Sequence, residues 1–335
     1  MARRVSVWLL CTAFLMGSAV AQNLNGAGAT FPYPIYSKWF SDYKKVNPSV
    51  QINYQSIGSG GGIRQVTAGT VDFGATDGPM SDQQLTDAKM KIFHIPTVLG
   101  AVVPAYNVPG VSGEVRLTGP IIANIFLGKI TNWNDPALVK ANPDLKLPDR
   151  PIVVVHRSDG SGTSFIWTDF LSKVSVDWAN GPGKGTAVKW PVGLGAKGNE
   201  GVAGLIRQME GALGYVELIY ALQNKITYGS VQNPAGQYVK ASLEATTAAA
   251  ASVKNMPTDF RVSITNAPGK DAYPICSFTW LLVPGQWKDS AKKTAMVGFL
   301  NWMLDSGESQ VAELNYAPLP KEVAERVRST IKQIQ

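Results

Sequence analysis

His156-Arg157-Ser158-Asp159-Gly160-Ser161-Gly162-Thr163-Ser164 is the stretch on which the reading of this chain turns. Before it lies the β-branched run Ile152 to Val155. After it Phe165, Ile166, Trp167, Phe170, Leu171 and Val174 recur at helical spacing. The pattern is strand, tight loop, helix. Glycines in such a loop let the backbone approach a ligand closely, and the free N–H groups of the helix start attract negative charge. Arg157 adds a forked, permanently charged donor suited to phosphate or carboxylate, so the expected guest is an oxyanion. Taken alone, Ser-Asp-Gly-Ser-Gly also describes an ordinary surface turn.

Working outward, two more stretches place hydroxyls at a helix start. Gly26-Ala27-Gly28-Ala29-Thr30-Phe31-Pro32 runs into Ile35, Trp39, Phe40 and Tyr43, a helix face for which Thr30 is the expected cap. Val50, Ile52 and Tyr54 alternate as a strand, and Gly58-Ser59-Gly60-Gly61-Gly62 then leads into Ile63 and Val66. No G-x-x-x-x-G-K-[ST] string occurs, which disfavours a nucleotide P-loop. Val71 to Ala75 reads as a strand that would set Asp77 at its C-terminal end, where open α/β sheets keep their ligands; an Asp favoured by the Gly78-Pro79 turn is the plainer alternative.

The chain opens as an export signal. Arg3 and Arg4 precede an apolar run from Val5 to about Met16, and Ala19-Val20-Ala21 fits a small-x-small cleavage site, so the mature protein is expected to begin at Gln22 in an extracytoplasmic compartment. Cys11 sits within the apolar run behind two leucines, so lipid anchoring is not expected. Cys276 is then left alone, and folding has to rest on core packing without an intramolecular disulfide. A chain of 335 residues with 45% hydrophobic and 16% charged side chains is long enough for two ordinary domains. Its net charge of +7 is scattered, without the dense Lys/Arg block that tracks a nucleic-acid backbone.

Residues 92–108 are largely apolar and interrupted by Pro96, Gly100 and Pro104; they are expected to form a strand pair and the first crossing between two domains. Ile121, Ile122, Ile125 and Phe126 mark a helix face, 132–150 reads as loop and 181–201 as a Gly-rich surface excursion. Val202, Leu205, Ile206 and Met209 form a helix face before a strand around Gly214. A helix is expected in 243–253, a strand at 277–283 as the second crossing, and helices near 291–304, 310–314 and 323–334. Trp39, Trp167 and Trp280 are expected in the core, and His94 as a packed strand residue.

Gly-Ala-Gly-Ala-Thr-Phe-Pro, Gly-Ser-Gly-Gly-Gly, Val-Asp-Phe-Gly-Ala-Thr-Asp and Arg-Ser-Asp-Gly-Ser-Gly-Thr-Ser occur in an order and spacing that resembles the phosphate-binding proteins of bacterial phosphate ABC importers. Gly-Tyr-Val-Glu near 214 and Tyr-Ala-Pro-Leu-Pro near 316 extend the resemblance over nearly the whole mature chain. It implies an α/β fold of the type II periplasmic binding-protein class, with a ligand cleft between two lobes joined by two crossings. The lobes would comprise 22–98 with 274–335, and 99–273. The implied phosphate ligands are Thr30, Phe31, Ser59 and Asp77 from one lobe and Arg157, Ser161, Gly162 and Thr163 from the other. Asp159 is placed behind Arg157, and His156 stands where a second arginine often occurs. The further implications are a monomer in the periplasm, inorganic phosphate as ligand without a cofactor or metal, membrane permease subunits as partners, and no nucleic acid.

The chemistry agrees with that transfer. At neutral pH phosphate keeps at least one proton, whereas sulfate only accepts. A buried ionised Asp77 takes phosphate's proton in a hydrogen bond, but facing sulfate it is an unpaired acceptor beside negative charge. Two other function classes stand against this: binding of another oxyanion such as sulfate or molybdate, and a phosphatase or hydrolase with Ser161 as nucleophile and His156 as base.

Overall fold

Strand β1 (Gln22–Gly28) leads by way of Thr30 and Phe31 into helix α1 (Tyr33–Val46), which buries Ile35, Tyr36, Trp39, Phe40 and Tyr43. The structure is a computed structural model that describes residues 22–253 and 255–335; the expected export signal and its cleavage after Ala21 lie outside the described residues. Next come β2 (Val50–Ser56), α2 (Ser59–Thr67), β3 (Phe73–Thr76) and the short α3 (Asp82–Asp87), which Ser81 and Gln84 close with a capping box. Strand β4 (Ile92–Asn107) follows, then β5 (Arg116–Leu117), α4 (Gly119–Phe126) and α5 (Pro136–Ala141).

The central stretch folds as β6 (Val153–Arg157), α6 (Gly162–Val174), α7 (Val176–Asn180), β7 (Leu194–Ala196) and α8 (Gly198–Gln208). Strand β8 (Ala212–Glu217), α9 (Leu218–Gln223), β9 (Thr227–Tyr228), β10 (Ser230–Gln232), β11 (Tyr238–Val239) and α10 (Leu243–Ala250) come next. The chain then forms β12 (Cys276–Pro284), α11 (Ser290–Asp305), a 3-10 helix (Gly307–Leu314) and α12 (Lys321–Ile331).

Among the described residues one sheet runs in the order β2-β1-β3-β12-β4-β8-β6-β7, with β9 paired to β4. The triplets β2-β1-β3 and β8-β6-β7 are each parallel, whereas β12 and β4 run antiparallel to their neighbours. This is the two-lobed α/β architecture that the resemblance implied, built on one large curled sheet, with a separate three-stranded sheet in the order β11-β10-β5.

The expected strand pair in 92–108 is instead one strand. Along β4, Ile92 to Ala101 pair with β12, and Val102 to Asn107 pair with β8. The partner changes between Ala101 and Val102. Pro96 is tolerated within the strand because it falls opposite Trp280, where the ladder with β12 already shifts register. Every residue of β4 except Asn107 is buried, so the alternation that marks a half-exposed strand is missing.

Other expectations need smaller corrections. The Thr30 side chain does not cap α1; Pro32 occupies that position without a side-chain bond, and the Thr30 hydroxyl is engaged elsewhere. The stretch 132–150 is mostly loop, as expected, and also holds the short α5, started by the Asp135 side chain. The helix read over 310–314 is the end of the 3-10 segment. Trp39, Trp133, Trp167, Trp178 and Trp280 are fully buried, each contributing on the order of 2–3 kcal/mol relative to exposure. Cys276 is buried in β12 without a disulfide, and burial pushes its thiol up to about 12. No helix among the described residues is long and apolar enough to cross a membrane.

Candidate functional site

Five strands end at one place. β1 ends before Thr30 and Phe31, β2 before Ser59, β3 before Asp77, β6 at Arg157, and β7 before Gly198 and Asn199. The C-terminal strand ends of both parallel triplets therefore meet, which is where open α/β sheets build sites. Four helix starts flank the same spot: α1, α2, α6 and α8. Thr30, Ser59, Asp77, Arg157, Ser161 and Thr163 are each at most 2% exposed, so the two halves are closed on one another.

Close backbone approach makes that closure possible. Gly58 holds φ at +86°, and any side chain there would run into the Asp159 carboxylate. The N–H of Gly60 donates to the Gly160 carbonyl at 2.9 Å, a bond between the first Gly/Ser loop and the central one.

Arg157 is aimed by its neighbours. Its Nε and one terminal nitrogen donate to the two oxygens of Asp159 at 2.8 and 2.6 Å, the bidentate fork. The other terminal nitrogen reaches Thr163 Oγ1 at 3.4 Å, and the Tyr215 hydroxyl accepts from the Arg157 backbone N–H. Burial alone would raise the Asp159 carboxyl, but the guanidinium and the Gly198 N–H bring it below its ordinary value. Asp159 is thus a permanent anion that fixes the fork.

Asp77 is in the opposite condition. Burial pushes its carboxyl up to about 7, against the Thr279 hydroxyl, the charge of Arg157 and the Ser59 hydroxyl, all of which pull it down. Thr279 Oγ1 donates to Oδ1 at 2.7 Å, leaving Oδ2 near Ser59. The sequence reading took this carboxyl as fully ionised; burial instead poises it near neutrality. A carboxyl so poised beside an oxyanion shares at least one proton with it, because two adjacent buried anions repel.

Thr30, Ser59, Asp77, Arg157, Ser161, Gly162 and Thr163 are all brought together. Ser161 caps α6 by accepting from Ser164 N–H, which leaves its own O–H available. Phe31 buries its ring, and only its backbone faces polar partners. His156 is set apart: its ring stacks on Trp190 at 4.8 Å and its Nδ1 faces the Arg157 carbonyl. His94 is a packed strand residue whose Nε2 accepts from Met80 N–H.

Sequence reasoning missed several groups. Tyr54, Tyr220 and Tyr316 donate to the successive carbonyls of Ala29, Thr30 and Phe31, at 2.8, 2.6 and 2.6 Å. In a trans peptide the following N–H points the other way, so the Phe31 N–H is turned away from Tyr220. Asn199 was passed over inside the supposed surface excursion, yet it is fully buried and bonds Thr30, Thr163 and Glu217. Its one signal was Gly198-Asn199 directly before the helix face of Val202, Leu205 and Ile206. Thr279 carried no motif; only the pairing of β12 with β3 brings it to Asp77.

Residues 17–307 match the model of the PBP superfamily domain. The phosphate-binding protein PstS of Xylella fastidiosa is 48% identical over 308 residues, covering 91% of this chain and 84% of that protein. Its namesake from Haemophilus influenzae is 46% identical over 317 residues, covering 94% of each. Among solved structures, a high affinity periplasmic phosphate-binding protein bound with phosphate superposes with a TM-score of 0.76 at 21% identity, over 92% of this chain and 93% of that one. The phosphate binding protein from Stenotrophomonas maltophilia gives 0.68 at 22% identity, over 92% and 94%. At these identities the structural likeness speaks for the fold.

Proposed function

From the premise that this chain belongs to the PstS family of phosphate-binding proteins within the PBP superfamily, we propose that it captures inorganic phosphate in the periplasm for an ABC importer. The observation that carries the reading is that one buried site holds both Arg157, a cation fixed by Asp159, and Asp77, a carboxyl poised to share a proton and within reach of the Arg157 charge. Arg157 offsets the anion's charge, and Asp77, where it is ionised above about pH 7, requires that the anion bring a hydrogen.

The proposed ligand set is Thr30, Phe31, Ser59, Asp77, Arg157, Ser161, Gly162 and Thr163, with Asp159 holding Arg157. Hydroxyls and helix-start N–H groups supply donors, which distributes the remaining stabilisation without further full charges. No metal or cofactor enters this scheme. The proposed lobes are 22–98 with 274–335 and 99–273. The change of partner along β4 and the bond from Val102 N–H to Ile275 carbonyl support boundaries near there. Opening and closing about these crossings would admit and release the anion. Export through the N-terminal signal, a monomeric state and delivery to membrane permease subunits complete the proposal.

A hydrolase reading has less support. The base it requires, His156, is stacked on Trp190 with Nδ1 facing a carbonyl, and Ser161 Oγ serves as a helix cap. The decisive experiment titrates residues 22–335 with phosphate and with sulfate while following tryptophan emission. Saturation by phosphate, with sulfate failing at roughly a hundredfold higher concentration, is the expected result. Equal or preferential response to sulfate or molybdate would replace phosphate as the ligand, and turnover of a phosphate ester would revive the hydrolase.

A further inference from the structure

We infer that Asn199 determines the polarity of the anion site by turning Thr30 and Thr163 into obligate hydrogen-bond donors. A threonine hydroxyl has one hydrogen to give and two lone pairs that accept, and left alone it rotates to suit whatever faces it. Neither hydroxyl has that freedom here. Thr30 Oγ1 accepts from the Asn199 side-chain amide at 2.8 Å and from the Asn199 backbone N–H at 3.3 Å. Thr163 Oγ1 accepts from the same Asn199 amide at 3.1 Å and from the Arg157 guanidinium at 3.4 Å. Both lone pairs of each oxygen are filled, so all that either hydroxyl has left to offer is its hydrogen.

The direction of Asn199 is itself fixed. The backbone N–H of Glu217 lies 2.9 Å from Asn199 Oδ1. An N–H can only donate, so the atom facing it has to be the oxygen, and the amide nitrogen is sent toward the two threonines. Asn199 stands in the first turn of α8, where helix N–H groups lack intrahelical partners, which is why its own N–H is available for Thr30. One side chain thus joins β1's end, α6's start and β8, and Thr30 and Thr163 belong to opposite proposed lobes. Closure therefore completes the donor set as well as the enclosure.

This inference rests on the reading that the site takes phosphate. It adds that the cavity is divided by hydrogen-bond sense: donors at Thr30 and Thr163, the shared proton at Asp77. The anion's protonated oxygen is thereby directed to Asp77, because an O–H placed against either threonine meets another hydrogen. Asn199 acts through other residues and is a positioning residue.

A double-mutant cycle on phosphate affinity tests it, with calorimetry of wild type, Asn199→Ala, Thr30→Val/Thr163→Val and the triple variant, each checked for an intact fold by thermal melting. Asn199→Ala is expected to weaken phosphate at least tenfold in wild type and by less than threefold once the two hydroxyls are gone. Equal losses in both backgrounds would show that Asn199 supports the fold rather than the hydroxyls, and an unweakened Asn199→Ala would overturn the inference outright. Should Asn199→Ala fail to fold, Asn199→Asp keeps the oxygen that accepts from Glu217, and the charge it adds repels the anion in both backgrounds and cancels from the cycle. A wild-type protein that does not bind phosphate defeats the underlying reading; a wild type that binds with an uncoupled cycle defeats only this inference.

Discussion

Gly162 lies directly against Asp77: a methyl group on its α-carbon would stand 2.5 Å from Asp77 Oδ2. These residues come from opposite proposed lobes, so the contact exists only when the cleft is shut. Gly162→Ala is therefore expected to leave the fold of each half intact, since alanine suits a helix start better than glycine and Gly162 has no positive φ. Phosphate affinity should fall by roughly a hundredfold because closure is obstructed, as overpacking of a tight contact costs about 1–3 kcal/mol. Calorimetry beside a thermal melt checks both halves; wild-type affinity would mean that the closed contact is not used in binding.

Asp77→Asn should abolish discrimination between anions more than it weakens phosphate. An amide can donate as well as accept, so it no longer penalises an anion without a proton. Calorimetry of the variant with phosphate and sulfate reads this, and undiminished rejection of sulfate would remove Asp77 as the selector.

The same substitution has a signature without ligand. Folding raises the Asp77 carboxyl to about 7 from roughly 4 in the unfolded chain. Between these values the folded state binds more protons, so this group's contribution to stability falls as pH rises through that window and stays reduced above it. Ligand-free Asp77→Asn is expected to exceed wild type by a few kcal/mol, on the order of 2–4, at pH 8 and to match it near pH 4. Denaturant melts at the two pH values measure the gap.

Arg157→Ala is expected to lower phosphate affinity by at least about a hundredfold, because a buried anion loses its paired cation while Asp159 is left without its fork. Retention of near-wild-type affinity in a calorimetric titration would place the anion elsewhere.

His94 predicts part of the acid response. Burial, assisted by the charge of Arg261, holds its imidazole down to about 3, against roughly 6.5 when unfolded. Between those values the unfolded chain binds more protons, so stability contributed by neutral His94 is lost as pH falls from 6.5 toward 3. His94→Gln, which keeps an acceptor for Met80 N–H, should reduce the loss of stability between pH 7 and pH 4.5 by about 2 kcal/mol. Denaturant melts of both proteins across that range provide the check.

The fold's repeating parts were legible because each leaves a local trace. Gly58-Ser59-Gly60 and Asp159-Gly160-Ser161 mark loops at helix starts, and the period of Ile35, Trp39 and Tyr43 or of Val202, Leu205 and Ile206 marks the helices behind them. What could not be read was set by distant pairing. Thr279 reaches Asp77 through strand register across 202 positions, and Tyr220 and Tyr316 reach Thr30 and Phe31 from other elements. Asn199 lay in a Gly-rich stretch whose polarity looks like surface until α8 is docked. Burial on both faces, and a proline, Pro96, tolerated where the ladder shifts register, disguised β4 as two strands.

That β4 is uninterrupted has a mechanical consequence. Where two bodies are tied by loose string, they drift apart freely and reassemble by diffusion; here a hydrogen-bonded plank passes from one into the other and changes neighbours midway, between Ala101 and Val102. Opening the proposed lobes would have to bend this continuous strand at that junction instead of slackening a linker.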